Sequence, residues 1–157
     1  MRIPALGPRG EGWVLAQSAL FVGIAASAIA GPGWPASATS VRLVAGIAIG
    51  VAGVVLFVAA AAGLGHSLSP YPRPSRDATL RTGGVYRLVR HPIYGGVILI
   101  ALGSSLVWSP LALLPTALLL VLFELKSRRE ESMLLERFSG YETYRRRVRW
   151  RFVPGLH

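Results

Sequence analysis

Long uncharged stretches alternate with short charged ones along this chain, and the alternation predicts its architecture. From about Trp13 to Ala30 no residue is charged, and the run ends at Gly31-Pro32-Gly33-Trp34-Pro35, a turn with an interfacial aromatic. A second apolar run spans about Leu43 to Gly65. At about 1.5 Å per residue it is long enough to cross a hydrocarbon core of about 30 Å. A third run, Pro92 to Phe123, is too long for one span and short for two, and Trp108-Ser109-Pro110 divides it. It reads as a helical hairpin whose arms are each only about 20 Å long, so they extend into flanking polar residues or stop short of the opposite surface. The expectation is an all-α integral membrane helical bundle in a single domain, residues 1–157. Its four membrane segments are 13–30, 43–65, 93–107 and 111–123, the last two forming the short hairpin.

Between these runs the pattern changes character. Pro70, Pro72 and Pro74 forbid a regular helix in the middle loop, and Gly83-Gly84 punctuates the approach to Tyr86. From Leu125 onward, Leu134, Phe138, Tyr141 and Val148 fall on one helical face, with Arg145, Arg146, Arg147, Arg149 and Arg151 crowding the end. This predicts a cytoplasmic amphipathic C-terminal helix that lies on the inner leaflet and closes a pocket, broken or bent at Ser139-Gly140. Within the second run, Gly46, Gly50 and Gly53 form a small-residue stripe. Such a stripe permits close helix contact, expected here against the first helix; an oligomer contact through it is the less favoured reading.

The net charge of +10 would ordinarily suggest nucleic acid. Its distribution argues otherwise. Arg42 is the only charge between Gly12 and His66, while the middle loop carries Arg73, Arg76, Arg81, Arg87 and Arg90 beside Asp77. Nine cations and five acids lie from Glu124 onward. The positive-inside rule accounts for this without a nucleic-acid partner and places both termini in the cytoplasm. The first apolar run is longer than a usual signal-peptide core, so Ala36-Ser37-Ala38 reads as a connection rather than a cleavage site. The chain has no cysteine, which excludes disulfides, thiolate nucleophiles and zinc–thiolate sites. Its three histidines are too scattered for a metal site. His66 and His157 read as an interfacial residue and a chain end.

Arg90 and His91 stand where the charged loop meets the third apolar run, and ionisable groups at such a boundary tend to mark a site. A second constellation, Lys126-Ser127-Arg128-Arg129-Glu130-Glu131, follows that run. If the run folds back on itself, the two meet on one face of the membrane. That arrangement suits a small, polar, charged molecule held beside a lipid phase.

Leu80-x-Thr82-Gly83-Gly84-Val85-Tyr86, Arg90-His91-Pro92-x-Tyr94-x-Gly96 and the tail of Glu130-Glu131, Leu134, Phe138, Tyr141, Tyr144 and Val148 carry a family likeness. Over about Thr79 to Pro154 the chain resembles the integral-membrane methyltransferases typified by isoprenylcysteine carboxyl methyltransferase, with phospholipid methyltransferases as more distant relatives. The resemblance implies S-adenosylmethionine as methyl donor and S-adenosylhomocysteine as product. It implies that residues 79–154 form the cofactor and catalytic part. Arg90, His91, Tyr94 and the backbone at Gly95 and Gly96 would hold the methionine portion, and Glu130 or Glu131 the ribose or ammonium. The family's arginine five residues before the second glutamate is Lys126 here, so Lys126 or Arg129 would hold an acceptor carboxylate, with Glu131 beside it. A second departure is the interval from Phe138 to Tyr141, one residue shorter than the family's, which leaves the roles of Tyr141, Tyr144 and Arg147 open.

The function implied is methyl transfer to a lipophilic acceptor, foremost carboxyl O-methylation of a prenylcysteine-like substrate. Phospholipid or amine N-methylation is the alternative. An NADPH-dependent sterol-type reductase and a non-catalytic membrane scaffold are more distant ones. No metal is expected. The expected partners are the bilayer and a lipophilic acceptor. The Ala, Gly and Arg richness suggests a bacterial cytoplasmic membrane.

Overall fold

A computed structural model describes residues 3–4, 6–36, 39–65, 69–71 and 79–155. Pro72, Pro74, Arg73, Arg76 and Asp77 of the middle loop, His66, Ser37-Ala38 and the terminal His157 lie outside the described residues. The elements are α1 (Glu11–Ala30), α2 (Thr39–Leu64), α3 (Pro92–Trp108), α4 (Leu113–Arg137) and α5 (Tyr141–Arg147). Short 3-10 turns at Gly84–Arg87 and Pro110–Ala112 precede α3 and α4. No strand occurs among the described residues. Three helical stretches, Glu11–Ala30, Thr39–Leu64 and Pro110–Arg137, are long and apolar enough to cross a bilayer, and α3 is a shorter apolar helix. The fold is that of an integral membrane protein.

Local chemistry sets the helix ends. Pro92 opens α3, where its fixed φ suits the first turn and its missing N–H is no loss. Ser109 ends α3; its hydroxyl accepts from the Leu111 N–H at 3.3 Å and donates to the Pro32 carbonyl at 2.8 Å. α4 shows how the second arm of the hairpin gains its length. Of the two alternatives it takes the extension into flanking polar residues, and goes further than a flank: it runs unbroken to Arg137, because Glu124 to Arg137 holds no glycine or proline and is rich in strong helix formers. The anticipated tail helix is therefore two pieces. Its first part is the continuation of α4, and its second is the separate α5 beyond Phe138, Ser139 and Gly140.

The helix pairing also differs. The stripe on α2 packs against α3, not α1. A Cβ on Gly46 would meet the Gly103 carbonyl at 3.0 Å, and one on Gly53 would meet the Gly96 carbonyl at 2.7 Å. From the other side, a Cβ on Gly103 would meet the Gly46 carbonyl and Gly50 nitrogen, both at 2.6 Å. Gly46 and Gly53 on α2 thus face Gly103 and Gly96 on the antiparallel α3, two turns apart on each helix. The reason is reciprocity: α3 offers glycines at the same seven-residue spacing, so both backbones approach, whereas the glycines of α1, Gly12 and Gly23, do not share that interval.

α1 lies along α4, and Ile24, Ile98, Ala101, Leu119 and Phe123 form the shared core. At one end the two uncharged connections meet. The Trp34 indole donates to the Ser105 carbonyl at 3.0 Å, and Arg42 donates to the carbonyls of Leu106 and Val107 while lying 5.4 Å from the Trp34 ring centre. At the other end lie Tyr86, Arg90, His91, the last turns of α4, α5 and the C-terminal segment.

Candidate active site

The length of α4 is what builds this end of the molecule. Its continuation carries Glu130 and Glu131 past the start of α3, where His91 and Tyr94 stand. Glu131 is buried, and its Oε1 accepts from Arg90 Nε at 2.9 Å, His91 Nε2 at 3.2 Å and Arg151 Nε at 3.3 Å. A carboxylate can be held in so apolar a setting only when several donors compensate its lost hydration. Arg151 also pairs with Glu124, two turns earlier on the same face of α4. The C-terminal segment is bound through its backbone as well. The Arg90 and His91 N–H groups donate to the carbonyls of Trp150 at 3.0 Å and Arg151 at 2.8 Å. The Arg90 guanidinium reaches the carbonyls of Val148 at 2.6 Å and Arg149 at 2.8 Å. Glu131 and Arg90 thus fasten the end of the chain to the start of α3.

Glu130, the neighbouring residue, points elsewhere. It accepts from the Tyr94 hydroxyl at 3.0 Å, and its Oε2 lies 3.8 Å from His91 Nδ1. His91 stacks on Tyr94, with ring centres 5.5 Å apart and planes 7° apart. Glu130, His91 and Tyr94 line a cavity of about 130 Å³, which also borders Arg81, Arg90 and four further tyrosines, Tyr71, Tyr86, Tyr141 and Tyr144. Leu80, Leu134 and Phe138 give it an apolar wall. Tyr86 donates to the Ala60 carbonyl at 3.3 Å and Tyr144 to the Tyr86 carbonyl at 2.7 Å. Burial above all holds the phenols of Tyr86 and Tyr141 well above their ordinary range and pushes Tyr144 up to about 12, so all three stay neutral.

A family model for phospholipid methyltransferase matches residues 41–140. The chain belongs to the phospholipid methyltransferase family. Its fold is similar to that of a eukaryotic intramembrane Ras methyltransferase, isoprenylcysteine carboxyl methyltransferase, with a TM-score of 0.64 and 23% identity. That match covers 93% of this chain and 53% of the other, so the chain spans about half the length of that structure. No curated protein sequence matches the chain.

This phospholipid methyltransferase family member brings some of the residues singled out in its sequence to the cavity and not others. Arg90, His91, Tyr94 and Glu130 border it. Glu131 does not, because its oxygen is taken up by Arg90, His91 and Arg151. Gly95 and Gly96, expected to admit a cofactor, lack side chains for another reason. A Cβ on Gly95 would strike the Phe152 carbonyl, and one on Gly96 would lie 2.8 Å from the Gly53 carbonyl. Their bare backbone serves packing against the C-terminal segment and α2. Lys126 is 1% exposed and lies outside the cavity lining. Its ammonium donates to Gln17 Oε1 at 2.7 Å and the Pro70 carbonyl at 2.9 Å, and lies 5.3 Å and 5.8 Å from the Tyr94 and Phe123 ring centres. Arg129 is half-buried and lies outside the cavity lining, and its carbonyl accepts from the Ser132 hydroxyl at 2.7 Å. No cluster suited to a metal ion occurs among the described residues.

Several site residues escaped the sequence reading. Arg151 was one arginine in a basic run, although its place after Tyr144 and Val148 on the returning segment sets it opposite Glu124 and Glu131. Tyr86, Tyr141 and Tyr144 were visible as motif positions, but their convergence on one cavity needs the turn at Ser139-Gly140. Gln17 carried no signal at all.

Proposed function

We propose that this protein transfers the methyl group of S-adenosylmethionine to a lipophilic acceptor at the cytoplasmic face of a bacterial membrane. The observation that carries this reading is Glu130, paired with Tyr94, in a cavity walled by aromatic rings at the charged end of an apolar bundle. The residues suit the donor's chemistry. A sulfonium and an ammonium call for a carboxylate and for aromatic faces, which Glu130, Tyr86 and Tyr94 supply. The methionine carboxylate calls for a cation, and Arg81 and Arg90 border the same space. When bound, S-adenosylmethionine supplies an electrophilic methyl carbon to a nucleophile aligned with its carbon–sulfur bond.

The chain's own part is to hold, orient and exclude water. The Tyr94 hydroxyl fixes the Glu130 carboxylate by donating to it, and the stacked His91 ring limits the turning of Tyr94. The Arg90–Glu131–Arg151 network keeps the C-terminal segment closed over the start of α3. No residue is needed as a base for a carboxylate acceptor, which is already ionised near neutral pH.

For the acceptor, carboxyl O-methylation of a prenylcysteine-like molecule is the first reading. Lys126 supports it: among the described residues the hydrogen bonds of this buried ammonium go to two neutral oxygens, and an acceptor carboxylate would supply a bonded anion. Membership of the phospholipid methyltransferase family favours a second reading, N-methylation of a lipid amine. Calorimetric titration of the purified protein with S-adenosylhomocysteine and NADPH tests the common core. Micromolar binding of S-adenosylhomocysteine and none of NADPH is expected. Binding of NADPH alone would replace methyl transfer with hydride transfer.

A further inference from the structure

Five tyrosines line the cavity; Tyr71 lies on the middle loop and is half-buried, and among the other four Tyr141 is the odd one. Tyr86, Tyr94 and Tyr144 each spend their hydroxyl on a protein oxygen, Ala60, Glu130 and Tyr86 respectively. Tyr141 is 2% exposed, and its hydroxyl has no hydrogen-bond partner among the described residues. A buried hydroxyl left so is costly, and a well-packed ring cannot swing it to water. The ring is well packed: Tyr144 lies against it with centres 5.8 Å apart, and Leu80, Leu134 and Phe138 surround the cluster. Yet Tyr141 borders the cavity, as do those three apolar side chains.

A ligand part that fits there has apolar faces for Leu80, Leu134 and Phe138 and a polar edge for one hydroxyl. A heteroaromatic base has both. An amino acid head group, with two full charges, calls instead for full counter-charges, which Glu130, Arg81 and Arg90 in the same lining supply. We infer that Tyr141 is a ligand-binding residue whose hydroxyl bonds the polar edge of the nucleoside base of the methyl donor. This rests on the proposed use of S-adenosylmethionine and adds to it the residue that reads its base.

The test compares Tyr141→Phe with Tyr144→Phe in detergent-purified full-length protein. Two ligands are titrated, S-adenosylhomocysteine and 5′-methylthioadenosine, which keeps the nucleoside but lacks the amino acid. Melting temperature is read without ligand. Tyr141→Phe should leave the ligand-free melting temperature unchanged or raise it, since no protein bond is lost. It should weaken both ligands about tenfold, the loss of one hydrogen bond. Tyr144→Phe should lower the ligand-free melting temperature, because its bond to Tyr86 goes.

Equal affinities for wild type and Tyr141→Phe would overturn the inference while leaving methyl-donor binding intact. Weakening of S-adenosylhomocysteine but not of 5′-methylthioadenosine would also overturn it, by moving the bond to the amino acid part. A ligand-free destabilisation matching that of Tyr144→Phe would make Tyr141 structural. Failure of the wild type to bind S-adenosylhomocysteine would overturn the donor assignment and this inference together.

Discussion

Adjacent glutamates on α4 should separate stability from ligand binding. Glu131 has a side chain 6% exposed and three cationic or imidazole donors on one oxygen, at 2.9, 3.2 and 3.3 Å. Glu131→Gln keeps the volume but leaves Arg90 and Arg151 without their shared counter-charge. Breaking a buried ion pair by removing one partner costs about 3–5 kcal/mol. For a chain of this size each kcal/mol moves the melting temperature by about 2–4 °C, so a fall of about 6–20 °C is expected. Glu130 is 26% exposed and accepts one bond, from Tyr94, which an amide oxygen can still accept. Glu130→Gln should therefore cost about 1 kcal/mol or less, but should weaken S-adenosylhomocysteine about tenfold or more through the lost charge. Below its melting transition Glu131→Gln should stay within about threefold of wild-type affinity, roughly 0.7 kcal/mol. Thermal unfolding in detergent and calorimetric titration at low temperature measure both quantities. The reverse assignment, with Glu130→Gln unstable and Glu131→Gln stable but unable to bind, would refute this division of roles.

Three further outcomes follow from other parts of the molecule. Gly103→Ala should lower the melting temperature, since its Cβ would meet backbone atoms of Gly46 and Gly50 at 2.6 Å, whereas Gly50→Ala, whose Cβ meets nothing within 4 Å, should not. Lys126→Met should abolish most turnover of a carboxylate acceptor while holding S-adenosylhomocysteine affinity within about threefold, and Lys126→Arg should retain activity; normal turnover by Lys126→Met with loss in Arg129→Met would move the acceptor clamp to Arg129. In whole cells an impermeant maleimide should label Gly33→Cys and spare the exposed Ser139→Cys, and the opposite pattern would reverse the orientation.

Much of the fold was legible because the bilayer restricts what a backbone can do. Uncharged runs announce helices, and Trp108-Ser109-Pro110 marks the turn between α3 and α4 as plainly as Gly31 to Pro35 marks the one after α1. What stayed hidden was long-range pairing. Gly46 and Gly53 announce a close helix contact but do not say with which helix. The matching interval from Gly96 to Gly103 is the clue to the partner, although Gly96 within its motif also reads as room for a cofactor. The end of the hydrophobic stretch at Phe123 likewise does not say where the helix ends, because hydropathy reports the edge of the membrane and not of the helix. At the site, motif spacing brought out Arg90, His91, Tyr94 and Glu130. It had no means of telling Glu130 from Glu131, because neighbours on a helix differ by about 100° in direction and only packing decides which one faces inward.

The central claim is methyl transfer at the Glu130 cavity, and one measurement addresses it directly. Purified protein in lipid vesicles is incubated with S-adenosylmethionine carrying a labelled methyl group and a prenylcysteine acceptor, and label is followed into the lipid-soluble fraction. The account predicts transfer as a base-labile ester, reduced at least about tenfold in Glu130→Gln. No transfer to the prenylcysteine or to any vesicle lipid, or transfer undiminished in Glu130→Gln, would contradict it.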